Sequence, residues 1–128
     1  MIDYSGDELV KFETAKTLES AGYDKECIYV YAYTEDGKHS EPYQYGGVKT
    51  HGIKLKNFKT VMVPTQTAAL KWIREHGFNG AHCAYFSNEW GEAWIPAGIA
   101  PIVVETTFKT YEECAEYLTL VCAKYLIK

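Results

Sequence analysis

One segment of the chain, from His39 to Lys59, combines residue types that bind phosphorylated molecules. Its candidate ligand-binding residues are Tyr43, Tyr45, Lys49, His51, Lys54 and Lys56. Lysine ammonium groups neutralise phosphates, tyrosine rings stack on bases, and the interleaved glycines let a ligand approach the backbone. The segment therefore predicts a site for a phosphorylated small molecule or a nucleotide. The alternative interpretation is an ordinary loop of solvated lysines.

The charge distribution favours a small ligand over duplex DNA. The whole chain has a net charge of −4 and a pI near 5.5, whereas residues 38–59 carry five lysines against Glu41 alone. Proteins that bind duplex DNA are normally more basic than this. We therefore expect a phosphorylated small molecule, a nucleotide or a host protein as the partner, and no membrane.

Histidine and cysteine spacing gives little support to catalysis. The sequence contains no CxxC, no HxxxH and no carboxylate at ligand spacing, so neither a metal nor a cofactor is predicted. The alternative to a binding protein is a small enzyme whose site is assembled from His51, Cys83 and nearby carboxylates. A further alternative is an assembly or structural protein with no ligand. We expect the four cysteines to be buried free thiols: Cys27, Cys83, Cys114 and Cys122.

A second candidate surface is aromatic. Alternation in Cys27–Thr34 places Tyr31 and Tyr33 on one strand face, while Trp90 lies at a predicted hairpin tip and Trp94 in the strand that follows it. If these rings are exposed together, they predict an interface, most simply of a homodimer. The alternative is that Trp90 folds back onto its own sheet.

The clearest element that positions these residues is a helix from Thr110 to Lys128. Its apolar stripe is Tyr111, Cys114, Ala115, Leu118, Val121, Cys122 and Tyr125. Thr110 and Glu113 match a capping box. Two more helices are predicted, one before Gly22 and one between Thr65 and Gly77.

The remaining chain reads as strands. In Cys27–Thr34 the aliphatic face is expected to meet the helices, and Asp36-Gly37 predicts a type I′ hairpin turn. We predict a single α+β domain over residues 1–128, in the order α-β-β-β-α-β-β-α. It has a mainly antiparallel sheet of about five strands with three helices packed on one face. No membrane span or secretory signal is visible, so the cytosol of the host cell is the expected compartment.

Three stretches together resemble a family of small uncharacterised proteins carried by phages and mobile elements of gut bacteria. The stretches are Phe12–Lys16 leading to Gly22-Tyr23-Asp24, Pro64–His76 and Phe108–Cys114. They are helix caps and core faces, so the resemblance implies a fold and no site residues. The chain departs from the family pattern at Lys11, where relatives tend to carry a Ser or Thr cap. The family has no assigned activity. The function we expect is that of a non-catalytic mobile-element accessory protein, which uses the lysine–tyrosine segment and the aromatic face to sequester or block a host molecule.

Overall fold

The structure, a computed structural model, describes residues 8–48, 54–55, 58–78, 81–86, 88–94 and 102–127. Three helices alternate with two groups of strands. In chain order the elements are α1 (Phe12–Ala21), β1 (Cys27–Tyr33), β2 (Tyr43–Val48), β3 (Lys54–Leu55), β4 (Phe58–Val63), α2 (Gln66–Glu75), β5 (His82–Phe86), β6 (Glu89–Trp94), β7 (Ile102–Phe108) and α3 (Tyr111–Leu126).

The predicted α+β class, with three helices and antiparallel pairing, is confirmed. The described strands form two sheets, one of four strands in the order β2-β1-β4-β3 and one of three in the order β5-β6-β7. All pairs are antiparallel. The seven described strands outnumber the five expected by one in each group: the glycine-broken middle of the chain contributes both β2 and β3, and β7 joins β5 and β6. The strands before α2 pair among themselves, as do the strands after it.

Helix α3 has the predicted position and cap. The Thr110 hydroxyl accepts a hydrogen bond from the backbone N–H of Glu113 at 3.2 Å and donates to its carboxylate at 3.1 Å. Cys114, Leu118 and Cys122 on the predicted stripe are fully buried. The helix contacts α1, α2 and all three strands of the second sheet, so it joins the two halves of the molecule.

The middle of the four-stranded sheet is buried on both faces. On one face Phe12 of α1 packs against Tyr31 and Tyr33, with ring centroids 5.5 Å apart in each pair. On the other face Val30 and its neighbour Met62 are also buried. The expectation that only the aliphatic face of β1 meets helices is therefore wrong for α1. In β4, four successive residues from Thr60 to Val63 are buried, so both faces of this strand are covered as well.

The segments that precede α1 and α2 lie side by side. Leu9 and Thr65 form an antiparallel bridge. The backbone N–H of Val10 donates to the carbonyl of Pro64 at 3.1 Å, and that of Gln66 donates to the carbonyl of Glu8 at 2.8 Å. This pairing brings the N-termini of two helices together, next to the first two turns of α3.

All four cysteines are free, as the sequence predicted. Cys27, Cys114 and Cys122 are buried, and Cys83 is half-buried. Burial raises the pKa of the Cys27 thiol to about 12. A thiol with this pKa stays protonated at neutral pH, so Cys27 is a core residue without nucleophilic character.

Candidate functional site

The β1–β2 hairpin turn is the local structure on which the candidate site is built. The Thr34 carbonyl accepts from the N–H of Gly37 at 3.1 Å, and the Thr34 N–H donates to the Lys38 carbonyl at 3.0 Å. Gly37 has φ +89°, whereas Asp36 has a negative φ. The turn therefore lies where it was predicted, but it has one left-handed residue rather than the two of a type I′ turn.

An open cleft of about 490 Å³ lies beside this turn. It is lined by Ala32, Thr34, Asp36, Lys38, His39, Ser40 and Phe58. The Phe58 ring, at the start of β4, is 45% exposed. Since an exposed ring of this size offers a flat apolar face, the cleft can take a planar group. We call it the hairpin cleft.

The imidazole of His39 is held in place by contacts on several sides. Its ring stacks on Phe12 with centroids 4.2 Å apart and meets the edge of Tyr31 at 5.3 Å. Its Nδ1 lies 2.8 Å from the carbonyl oxygen of Ser40. A carbonyl can only accept, so the proton is on Nδ1, and Nε2 is the nitrogen that can bind a ligand atom.

The two charged groups in the hairpin cleft differ in their contacts: the Asp36 carboxylate is hydrogen-bonded, whereas the Lys38 ammonium has no ion pair among the described residues. The Asp36 carboxylate accepts from the Thr34 hydroxyl and from the Lys38 N–H. These two hydrogen bonds lower the pKa of the Asp36 carboxyl. Within the described part of the chain the single ion pair is Lys16–Glu19, so the Lys38 ammonium is unpaired there. The cleft thus offers a cation whose charge is not neutralised by a salt bridge.

The predicted ligand-binding residues are only partly covered by the structure. Tyr43 is half-buried at the start of β2, opposite Val30 in the register. Tyr45 and Lys54 fall in β2 and β3, while Lys49, His51 and Lys56 lie outside the described residues. The binding role of these residues stays a prediction.

Sequence reasoning did not single out the residues that form the hairpin cleft. His39 and Phe58 lie at the two ends of the predicted basic segment, and Ser40 faces Ala32 across the hairpin through two hydrogen bonds. The Asp36-Gly37 turn is the signal that could have found them. It fixes which residues lie opposite each other in the hairpin.

The four predicted interface residues have different surroundings in the structure. Tyr31 is only 6% exposed and donates its hydroxyl to the Val10 carbonyl at 3.0 Å, so it belongs to the core. Tyr33 is half-buried, and its hydroxyl accepts from the Lys16 ammonium at 2.9 Å. Trp90 and Trp94 lie in the other sheet, where Trp90 meets the edge of Tyr111 at 5.3 Å. The structure divides these aromatics between two sheets.

Comparison with protein-family models, curated proteins and solved structures gives no match. Among the described residues no group of three His, Cys, Asp or Glu side chains has the arrangement of a metal site. No helix in the same part of the chain is long and apolar enough to cross a bilayer. The candidate site is therefore argued from its own geometry.

Proposed function

We propose that the protein is a non-catalytic binding protein for a small molecule that carries both a flat ring and an anionic group such as a phosphate. The hairpin cleft is the binding site. The proposal is carried by one observation: an exposed aromatic ring, an unpaired ammonium and an oriented imidazole line the same open cleft. Ring stacking on Phe58 and charge pairing with Lys38 together recognise a nucleotide-like molecule.

The hydroxyl groups in the hairpin cleft favour binding over catalysis. Ser40 donates to the carbonyl of Glu41 at 2.8 Å and accepts from the N–H of Ala32 at 3.1 Å. Thr34 donates to the Asp36 carboxylate within the turn. A nucleophilic hydroxyl needs a general base whose pKa lies near the working pH, and the hydrogen bonds that lower the pKa of the Asp36 carboxyl make it a weak base. Both hydroxyls thus stabilise the hairpin, and the proposed action on the ligand is sequestration.

Thermal-shift and calorimetric titrations with ATP, cyclic di-GMP and inorganic phosphate test this proposal. A ligand that binds the folded state raises the melting temperature. We expect Phe58→Ala to weaken nucleotide binding about tenfold, because base–aromatic stacking is lost. Lys38→Gln should weaken binding of the nucleotides and make what remains less sensitive to salt.

Two control variants test whether a loss of binding is specific to the hairpin cleft or follows from removing any exposed ring or charge. Tyr125→Ala removes a ring that is 65% exposed elsewhere on the surface, and Lys25→Gln removes an exposed charge far along the chain from the hairpin turn. Both variants should bind like the wild type. Equal loss in the controls, or no nucleotide binding by the wild type, contradicts the proposal.

A further inference from the structure

A second concave surface, separate from the hairpin cleft, lies between α1 and α3. It is a groove of about 300 Å³ whose apolar side is formed by Phe108, Tyr117 and Leu120. The rings of Phe108 and Tyr117 are 5.3 Å apart at 44°, and Tyr117 is 37% exposed. The groove therefore offers an accessible aromatic wall. We call it the α1–α3 groove.

Carboxylates line the same groove beside the apolar residues. They come from Glu13 in the first turn of α1 and from Glu113 and Glu116 in the first two turns of α3. A smaller hollow around Glu8 and Glu112 shares the side chains of Glu113 and Glu116. Among the described residues that line the two cavities, Lys11 is the one basic residue against five glutamates, so their charge is strongly negative.

Two of the carboxylates are fixed by the fold. Glu116 accepts from the backbone N–H of Lys11 at 2.9 Å and from the side-chain amide of Gln66 at 3.2 Å. Glu113 accepts from the Thr110 hydroxyl at 3.1 Å. A carboxylate has about four acceptor positions, so these bonds hold the oxygen atoms in place and leave acceptor positions for a ligand. Fixed acceptors lose little conformational freedom on binding.

From this arrangement we infer that the α1–α3 groove docks an arginine- or lysine-bearing segment of another protein. The aliphatic stem of such a side chain packs on Tyr117 and Phe108, and its cationic head binds Glu13 and Glu113. Aromatic rings and carboxylates in one groove satisfy both the aliphatic stem and the cationic head of a basic side chain. An anionic or purely apolar segment would leave the carboxylates without partners.

Charge also favours a foreign partner over a second copy of this chain. The chain carries a net charge of −4, so two copies repel each other at long range. A basic segment is instead attracted, which raises its rate of association and makes it dependent on salt. The proposed occupant is therefore a basic peptide segment of a different protein.

Fluorescence anisotropy with the full chain tests this inference. The probe is a fluorescein-labelled peptide of alternating glycine and arginine, and the comparison peptide has glutamine in place of each arginine. We expect the arginine peptide alone to bind. Tyr117→Ala should weaken it about tenfold through the lost ring contact, and Glu13→Gln about fivefold through the lost charge.

Controls of equal size and charge make the result decisive. Tyr117→Phe keeps the ring and should bind like the wild type, as should Tyr125→Ala on the same helix. Glu35→Gln, at the exposed hairpin turn, removes the same charge as Glu13→Gln and should leave affinity nearly unchanged. The inference is overturned if Glu35→Gln and Glu13→Gln lose affinity equally, or if Tyr117→Ala binds normally. Self-association abolished by Tyr117→Ala would also overturn it, by assigning the groove to a second copy.

Discussion

The hairpin cleft and the α1–α3 groove both place aromatic rings beside charged groups, but they are assembled over very different distances along the chain. Six of the seven residues that line the cleft fall within residues 32–40, and Phe58 comes from β4. The groove takes its sides from α1, β7 and α3. Its key contact, between Lys11 and Glu116, joins residues 105 positions apart.

As a result, the residues that bind a ligand in the hairpin cleft contribute little to stability, whereas those of the α1–α3 groove also stabilise the fold. In the cleft, Phe58 and Lys38 are exposed, so changing them should alter ligand affinity with little effect on stability. In the groove, Glu116 and Glu113 also satisfy backbone N–H groups or cap a helix. The same carboxylates thus present charge to a partner and hold the helices together.

The largest expected effect is the loss of Glu116. Glu116→Ala removes the acceptor for the Lys11 N–H and for the Gln66 amide, so we expect the free energy of unfolding to fall by about 2 kcal/mol. Urea denaturation followed by circular dichroism measures this change. In the cleft, Lys38→Gln should change the same quantity by less than about 0.5 kcal/mol.

Two variants of α3 test whether the loss comes from the hydrogen bonds. Glu116→Gln keeps one acceptor for the Lys11 N–H but places an amide donor against the Gln66 amide. Its free energy of unfolding should therefore lie between those of the wild type and Glu116→Ala. Glu112→Ala removes a neighbouring exposed carboxylate and keeps the backbone carbonyl that Gln66 contacts at 3.0 Å. A loss in Glu112→Ala as large as that in Glu116→Ala would show that net charge, rather than geometry, is responsible.

The local parts of the fold could be predicted from the sequence. Thr110 and Glu113 are three residues apart, and their cap depends only on the start of α3. Asp36-Gly37 likewise marks a turn because Gly37 adopts a positive φ without steric cost. The α+β class followed from the alternation of such segments.

The long-range parts could not be predicted in this way. Lys11 stands at the N-cap of α1, where Ser, Thr, Asp or Asn is usual, and its side chain makes no cap. The Lys11 N–H is bound instead by Glu116, which no local pattern signals. Tyr31 alternates like a residue of an exposed face, yet α1 covers it because Phe12 packs there. The division into two sheets also depends on which strands pair, which spacing alone does not fix.

Tyr31 contacts residues of both regions, and we expect its substitution to reduce stability by less than the loss of Glu116. Its hydroxyl binds the Val10 carbonyl before α1, and its ring contacts His39 in the cleft. Burial, with smaller contributions from Glu116 and Glu41, raises the pKa of the Tyr31 phenol to about 12. In the unfolded chain a tyrosine titrates near pH 10. The phenol therefore contributes its full stability below pH 10, and this contribution is lost as the pH rises toward 12.

Tyr31→Phe should thus change stability in two ways. At pH 7 we expect a loss of about 1.5 kcal/mol, because the buried Val10 carbonyl loses its donor. Above pH 10 the variant should lose less stability with rising pH than the wild type does. Urea unfolding at pH 7, 9, 10.5 and 11.5 measures both effects, with Tyr125→Phe as the exposed control. Parallel curves for Tyr31→Phe and the wild type would contradict the proposed linkage.

The smallest effect is expected at the turn that shapes the hairpin cleft. Gly37 has φ +89°, and a Cβ added there meets no atom within 4 Å, so only backbone strain opposes a side chain. Gly37→Ala should cost about 1 kcal/mol, and Gly37→Asn less, because asparagine tolerates left-handed backbone better. Nucleotide affinity should fall in the same order, since the turn positions Lys38 and His39, while arginine-peptide affinity should not change. If both affinities fell together, the two regions would not be independent, and the contrast between local cleft and long-range groove would not hold.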